Sequence, residues 1–259
     1  MKFSKWQGLG NDFVLVELDR REQSRFPGDA KRWCDRHFGI GADGVVTIRP
    51  LGGTAFEMRI YNADGTEPEM CGNATRCVGL YIRSRKLAPG DEFELHTKGG
   101  IVRPKVLGNG SVRVDMGEAR LLAPEPLTLR VPGRTLEGTA VSTGNPHAVI
   151  FVPDIREIPL TEWGPAIEND PQFPDRTNVE FVERISERMV RMRVWERGCG
   201  VTLACGTGSC ATAFAGFHTG RTAKHVTVLL DGGELQIDVE DHIFMTGPAC
   251  EVFRGDWRE

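Results

Sequence analysis

Short apolar runs bounded by glycine, proline or asparagine dominate the hydrophobic pattern of this chain, which favours strands over long helices. Residues 6–16 (WQGLGNDFVLV) carry a glycine-rich turn into one such run. Further strands are predicted at 45–48, 55–61, 93–97, 101–106 and 111–116. A short helix fits residues 30–37, and another covers 78–86 before Pro89-Gly90 stops it. Gly8 and Gly10 suggest a dinucleotide loop, but Phe13 replaces the third glycine and no strand precedes the turn, so that pattern is weak.

After a proline-punctuated link at 123–126 the same order begins again. Asn145 lies 134 residues after Asn11, and each precedes an apolar run. Met192-Arg193-Val194-Trp195 follows Met58-Arg59-Ile60-Tyr61 at the same 134-residue offset, and residues 177–182 fall on 43–48. Cys205-Gly206 also lies 134 residues after Cys71-Gly72. Beyond those turns the register slips by one residue, so that Cys210 matches Cys77 and Gly232-Gly233 match Gly99-Gly100. One offset with one small slip marks an internal duplication. The expected fold is α+β: two pseudo-symmetric lobes, each a mostly antiparallel sheet around a central helix, with an active site in the cleft between them. The lobes are expected at 1–120, carrying Cys71, and 121–259, carrying Cys205. Residues 211–217 are apolar nearly all round, so the second helix should be buried within its own lobe.

A net charge of -4 with no run of Lys and Arg excludes a nucleic-acid surface. No apolar run approaches the roughly 20 residues of a membrane span, and the N-terminus has no signal-peptide pattern, so a cytoplasmic protein is expected. Seven cysteines in a 259-residue chain fit that compartment better than a secreted disulfide framework. Zinc is the alternative use for Cys71 and Cys77, or for Cys199, Cys205 and Cys210. Their gaps of five and four intervening residues miss the short knuckle that structural zinc prefers.

The two Cys-Gly turns carry the candidate chemistry, MCGNATRC at 70–77 and ACGTGSC at 204–210. Each opens a predicted helix. A helix N-terminus favours a thiolate, which lowers the thiol pKa, and its unpaired N–H groups at Gly72-Asn73 and Gly206-Thr207 can hold a carboxylate. Lobes related by duplication would present Cys71 and Cys205 to opposite faces of one carbon. One sulfur would remove a proton and the other return it, inverting a stereocentre.

These motifs, with GLGNDF (8–13), FGIGADG (38–44), YNADG (61–65), STGNPH (142–147), TNVEF (177–181) and Glu196-Arg197-Gly198, span nearly the whole chain. Together they resemble the diaminopimelate epimerases, racemases that work without pyridoxal phosphate. The resemblance implies interconversion of LL- and meso-diaminopimelate for lysine and peptidoglycan synthesis, no cofactor, no metal, and a homodimer. It implies Cys71 and Cys205 as the acid/base pair, with substrate contacts at Asn11, Asn62, Gly72, Asn73, Asn145, Asn178, Glu196, Arg197, Gly206 and Thr207. His147 and Glu196 match a pair that tunes the thiols. Some relatives carry glutamine where this chain has Gly44, so that contact is lost here. The assignment suits the substrate: neutral amides both donate to carboxylates and accept from ammonium groups, and Arg197 offers a bidentate carboxylate clamp. The competing readings are a racemase of another amino acid, such as histidine, and a non-catalytic metabolite- or metal-binding protein.

Overall fold

The computed structural model describes residues 1–19 and 26–258. It divides into two compact units, Met1–Val114 with Gly247–Glu259, and Asp115–Thr246. No helix among the described residues is long and apolar enough to cross a membrane.

The first unit opens with a hairpin of β1 (Lys2–Gly8) and β2 (Asn11–Glu17). Its two-residue turn holds both Leu9 (φ 59°) and Gly10 (φ 86°) left-handed, the geometry that matches strand twist in tight hairpins. α1 (Phe26–Cys34) leads to β3 (Gly44–Gly52), parallel to β2, and β4 (Ala55–Asn62) returns antiparallel. α2 (Gly72–Arg85) crosses over, so that β5 (Glu94–Thr97) joins β4 in parallel. The single strand expected at 101–106 is two, β6 (Gly100–Val102) and β7 (Lys105–Val106), with β8 (Val112–Asp115) beside β7. Pro104 explains the break, since its ring has no N–H to give a ladder. α2 ends at its C-cap Lys86, where the sequence placed its end: Lys86 takes a left-handed conformation (φ 55°) and its N–H caps the carbonyls of Ile82 and Arg83. Residues 13–16 of β2 are buried without alternation, the pattern of a strand covered on both faces. Val14, Val16 and Val45 pack with Phe26, Ala30 and Trp33 of α1, while α2 lies on β1.

The second unit contains β9 (Arg120–Leu121), β10 (Leu127–Val131), β11 (Arg134–Ser142) and β12 (Pro146–Val152). Next come α3 (Leu160–Glu168), β13 (Asn178–Ser186), β14 (Met189–Glu196), β15 (Gly200–Thr202) and α4 (Gly206–His218). The strands β16 (His225–Leu230), β17 (Gly233–Val239) and β18 (Ile243–Gly247) follow in its sheet. α4 packs on β11, β12, β13, β16 and β17, with Ala211, Ala213 and Ala215 fully buried, as its all-round apolar sequence requires. The final strand, β19 (Cys250–Asp256), pairs with β1. The chain's end therefore completes the sheet of the first unit, whereas the sequence placed residues 247–259 with the second lobe.

The duplication is written in the strand registers. Phe13 pairs with Gly44 across the parallel β2–β3 ladder, and His147 pairs with Asn178 across β12–β13, both partners shifted by 134. Val45 faces Tyr61 in β3–β4 as Val179 faces Trp195 in β13–β14. The offset also carries α1 onto α3, residue for residue at both ends. α3 is absent from the elements predicted by hydrophobic pattern because Gly164-Pro165 interrupts it, a dipeptide that in isolation marks a turn.

Candidate active site

Cys71 is the N-cap of α2, in extended conformation (φ −143°), so its side chain sits where the unpaired amides of the first turn begin. Its thiol donates to Asn11 Oδ1 at 3.8 Å, and Asn73 Nδ2 donates to the same oxygen at 3.1 Å. Asn11 is itself fixed: its Nδ2 donates to Asp43 Oδ2 at 2.8 Å. Asp43 also accepts from the Asp12 amide, while Asp12 accepts from the Asp43 amide, from Lys5 at 2.8 Å and from Arg36 at 3.0 Å. Burial raises the Asp12 pKa, but pairing with Arg36 and Lys5 outweighs it and leaves the carboxyl below its usual range. Asn11, Cys71 and Asn73 are thus brought together. Asn62 lies exposed at the end of β4, its amide donating to Thr66 Oγ1 at 3.0 Å, and no direct bond among those described joins it to the cysteine. At Gly44 a Cβ would come within 2.9 Å of the Tyr61 carbonyl, so this backbone leaves no ready space for a side chain at the position.

Cys205 occupies the matching N-cap of α4 (φ −125°). Its buried sulfur accepts from the Gly208 amide at 3.3 Å and lies 3.5 Å from Thr207 Oγ1. Glu196 accepts a short hydrogen bond from Thr202. The sequence predicts a lowered thiol pKa here, and the structure reverses this. Burial, then the carboxylates of Glu196 and Glu180, push the Cys205 thiol well above its usual range, against the smaller pull of Thr207 and Gly208. Burial raises Glu196 as well. Iodoacetamide labelling of Cys205 across a pH series is accordingly expected to have its midpoint above that of an ordinary free thiol, and Glu196→Gln should move that midpoint down. A midpoint unmoved by Glu196→Gln would rule out that carboxylate as a cause.

His147, fully buried, links the remaining residues of this unit. Its Nδ1 lies 2.7 Å from Glu180 Oε1 and its Nε2 lies 3.0 Å from Asn145 Oδ1. Asn178 donates through Nδ2 to the Pro146 carbonyl at 2.9 Å and accepts the Arg197 amide at 3.0 Å. Arg197 Nη1 in turn donates to the Asp175 carbonyl at 2.9 Å. The immediate carboxylate partner of His147 is Glu180, a residue that sequence reasoning missed. A carboxylate inside the apolar run Val179-Glu180-Phe181-Val182 was the available signal. Gly208 leaves open the space that this carboxylate and the sulfur border: a Cβ there would stand 2.5 Å from Glu180 Oε1 and 3.2 Å from Cys205 Sγ.

The other cysteines fall away from this chemistry. Cys77 and Cys210 are fully buried within α2 and α4, and burial pushes the Cys77 thiol up to about 12. No cluster of three or more His, Cys, Asp and Glu among the described residues could hold a metal ion.

Two repeated units, each presenting a cysteine at the N-cap of a buried helix, define a class of duplicated two-lobe α+β folds. The fold recurs in a hydroxyproline epimerase from Agrobacterium vitis (TM-score 0.74, 14% identity, 98% of this chain and 91% of that one). It recurs also in a phenazine biosynthesis PhzC/PhzF protein from Clostridium difficile (TM-score 0.73, 14% identity, 100% of both chains). Sequence narrows the class. Residues 3–122 and 139–252 match the diaminopimelate epimerase family. The diaminopimelate epimerase of Moorella thermoacetica is 48% identical over 99% of both chains, and that of Synechocystis is 46% identical over 98% of both. The chain belongs to the diaminopimelate epimerase family.

Proposed function

We propose that this protein interconverts LL- and meso-diaminopimelate through Cys71 and Cys205, without a cofactor electron sink. The observation that carries this reading is the matched pair of N-cap cysteines in a chain of this family. In one direction a thiolate takes the α-proton, the C–H bond breaks, and its electron pair passes toward the α-carboxylate. The thiol of the other cysteine then gives its proton to the opposite face of the carbon, and the two sulfurs have exchanged states. Amides at Gly72-Asn73 and Gly206-Thr207 are suited to the carboxylate whose charge grows in that step. Asn11, Asn62, Asn145, Asn178 and Arg197 serve the substrate's polar ends, and His147 and Glu196 adjust proton affinity around the thiols.

Incubation with LL-diaminopimelate in deuterated water tests the assignment: deuterium at the α-carbon and formation of the meso isomer are expected. Uptake with histidine but not with diaminopimelate would move the protein to another substrate, and no uptake with either would make it a binder. We further propose a cytoplasmic homodimer; light scattering of the purified protein should give twice the chain mass, and a monomer mass would refute it.

A further inference from the structure

The last residue of α3, Glu168, is only 5% exposed, and it sits at the helix end where a negative charge is least favourable. Three donors compensate it. Trp195 Nε1 donates to its Oε2 at 2.7 Å, while the Gly198 amide (2.9 Å) and Arg176 Nη1 (3.0 Å) donate to its Oε1. Trp195 and Gly198 flank Glu196-Arg197 on either side. Arg176 lies one residue before Thr177-Asn178 and holds a left-handed backbone (φ 59°), strained for a side chain of its size. A single carboxylate thus grips both loops that supply Asn178 and Arg197, and those two are themselves joined through the Arg197 amide. α3 is pressed against the same feature: a Cβ on Gly164 would meet the Trp195 ring at 2.5 Å.

The duplication supplies the control. The position equivalent to Glu168, 134 residues earlier, is Cys34, the last residue of α1 and likewise buried. The shared fold therefore closes this corner without a carboxylate. What the second unit has in addition is Arg197.

We propose that Glu168 is a positioning residue that fixes Arg197 and Asn178 for the carboxylate of the substrate's non-reacting end, and so sets specificity for a diacid. This rests on the function proposed above. Glu168→Gln keeps shape but puts an amide N–H where an acceptor stood. It is expected to raise KM for LL-diaminopimelate about tenfold, the value of one charge-assisted hydrogen bond, with kcat changed less than about threefold. Trypsin should cut faster after Arg176 and Arg197 in the variant, relative to cleavage after exposed Arg254. Trp195→Phe, which removes the indole donor and part of the ring packed on Gly164 but keeps the carboxylate, should shift both readouts the same way by less, and it carries the test if Glu168→Gln does not fold. A lower melting temperature with unchanged KM and an unchanged cleavage pattern would reduce Glu168 to a structural residue and overturn the proposal. If the wild-type protein does not exchange the α-proton of diaminopimelate, the substrate assignment fails, and the trypsin comparison still decides whether Glu168 holds the loops.

Discussion

Alanine at either Cys71 or Cys205 is expected to lower kcat for epimerisation by about 10²–10⁴-fold, the range over which one positioned acid or base acts. Each sulfur sits at the start of a helix whose first amides lack intrahelical acceptors, and each has a polar side chain beside it, Asn11 at Cys71 and Thr207 at Cys205. Neither unit provides a second thiol at its N-cap, because Cys77 and Cys210 are fully buried within their helices. Chiral chromatography of LL- and meso-diaminopimelate reads the loss. A single-thiol variant should still be able to exchange hydrogen on one face of one isomer, with deuterium uptake but no inversion. Near-normal inversion by either variant would sink the two-thiol scheme.

Gly208→Ala should have the next largest effect. The new methyl would stand 2.5 Å from Glu180 Oε1 and 3.2 Å from Cys205 Sγ. Glu180 is fully buried on β13 and tied to His147, so it has little room to retreat, and the sulfur is held by the Gly208 amide itself. Overpacking of this kind costs about 1–3 kcal/mol of stability. Activity should fall further, by about 10²-fold, because a displacement of about 1 Å at an acid/base group is enough. Thermal melts and kcat measured together separate the two losses. Gly108→Ala, at a glycine with nothing within 4 Å of the added carbon, is the control and should stay within about 0.5 kcal/mol of wild type. Gly208→Ala with full activity would mean that the carboxylate and sulfur are not held in this arrangement.

What the sequence made legible was what the duplication repeats. Strands, their registers and the two N-cap cysteines recur at one offset, so each half is read twice and errors in one are corrected by the other. What stayed hidden is what the halves do not share. Glu180 stands where the first unit has Val46, His147 where it has Phe13, and Glu168 where it has Cys34. No pattern of spacing predicts a partner for a charge that appears once, and the bonds from Glu180 to His147 and from Glu168 to Gly198 join residues 33 and 30 apart. α3 was missed for a local reason, since Gly164-Pro165 breaks helices unless tertiary packing overrides propensity, and here Trp195 fills the space that Gly164 leaves open. The end of the chain was misplaced because pairing of β19 with β1 is set by closure of a sheet, which nothing in residues 247–259 announces.

The two thiols are equivalent by descent and unequal by surroundings, since Cys71 faces neutral amides where Cys205 faces Glu196 and Glu180. Thermodynamics limits how that inequality can be expressed. The equilibrium between the two stereoisomers belongs to the substrate, so the ratio of kcat/KM in the two directions is fixed whatever the protein does. Those two profiles must rise and fall with pH together. Only kcat, which reports groups in the loaded enzyme, is released from that constraint. With saturating substrate, the LL-to-meso and meso-to-LL reactions should therefore show displaced pH profiles, a directional bias lodged in a catalyst that cannot alter the balance it serves.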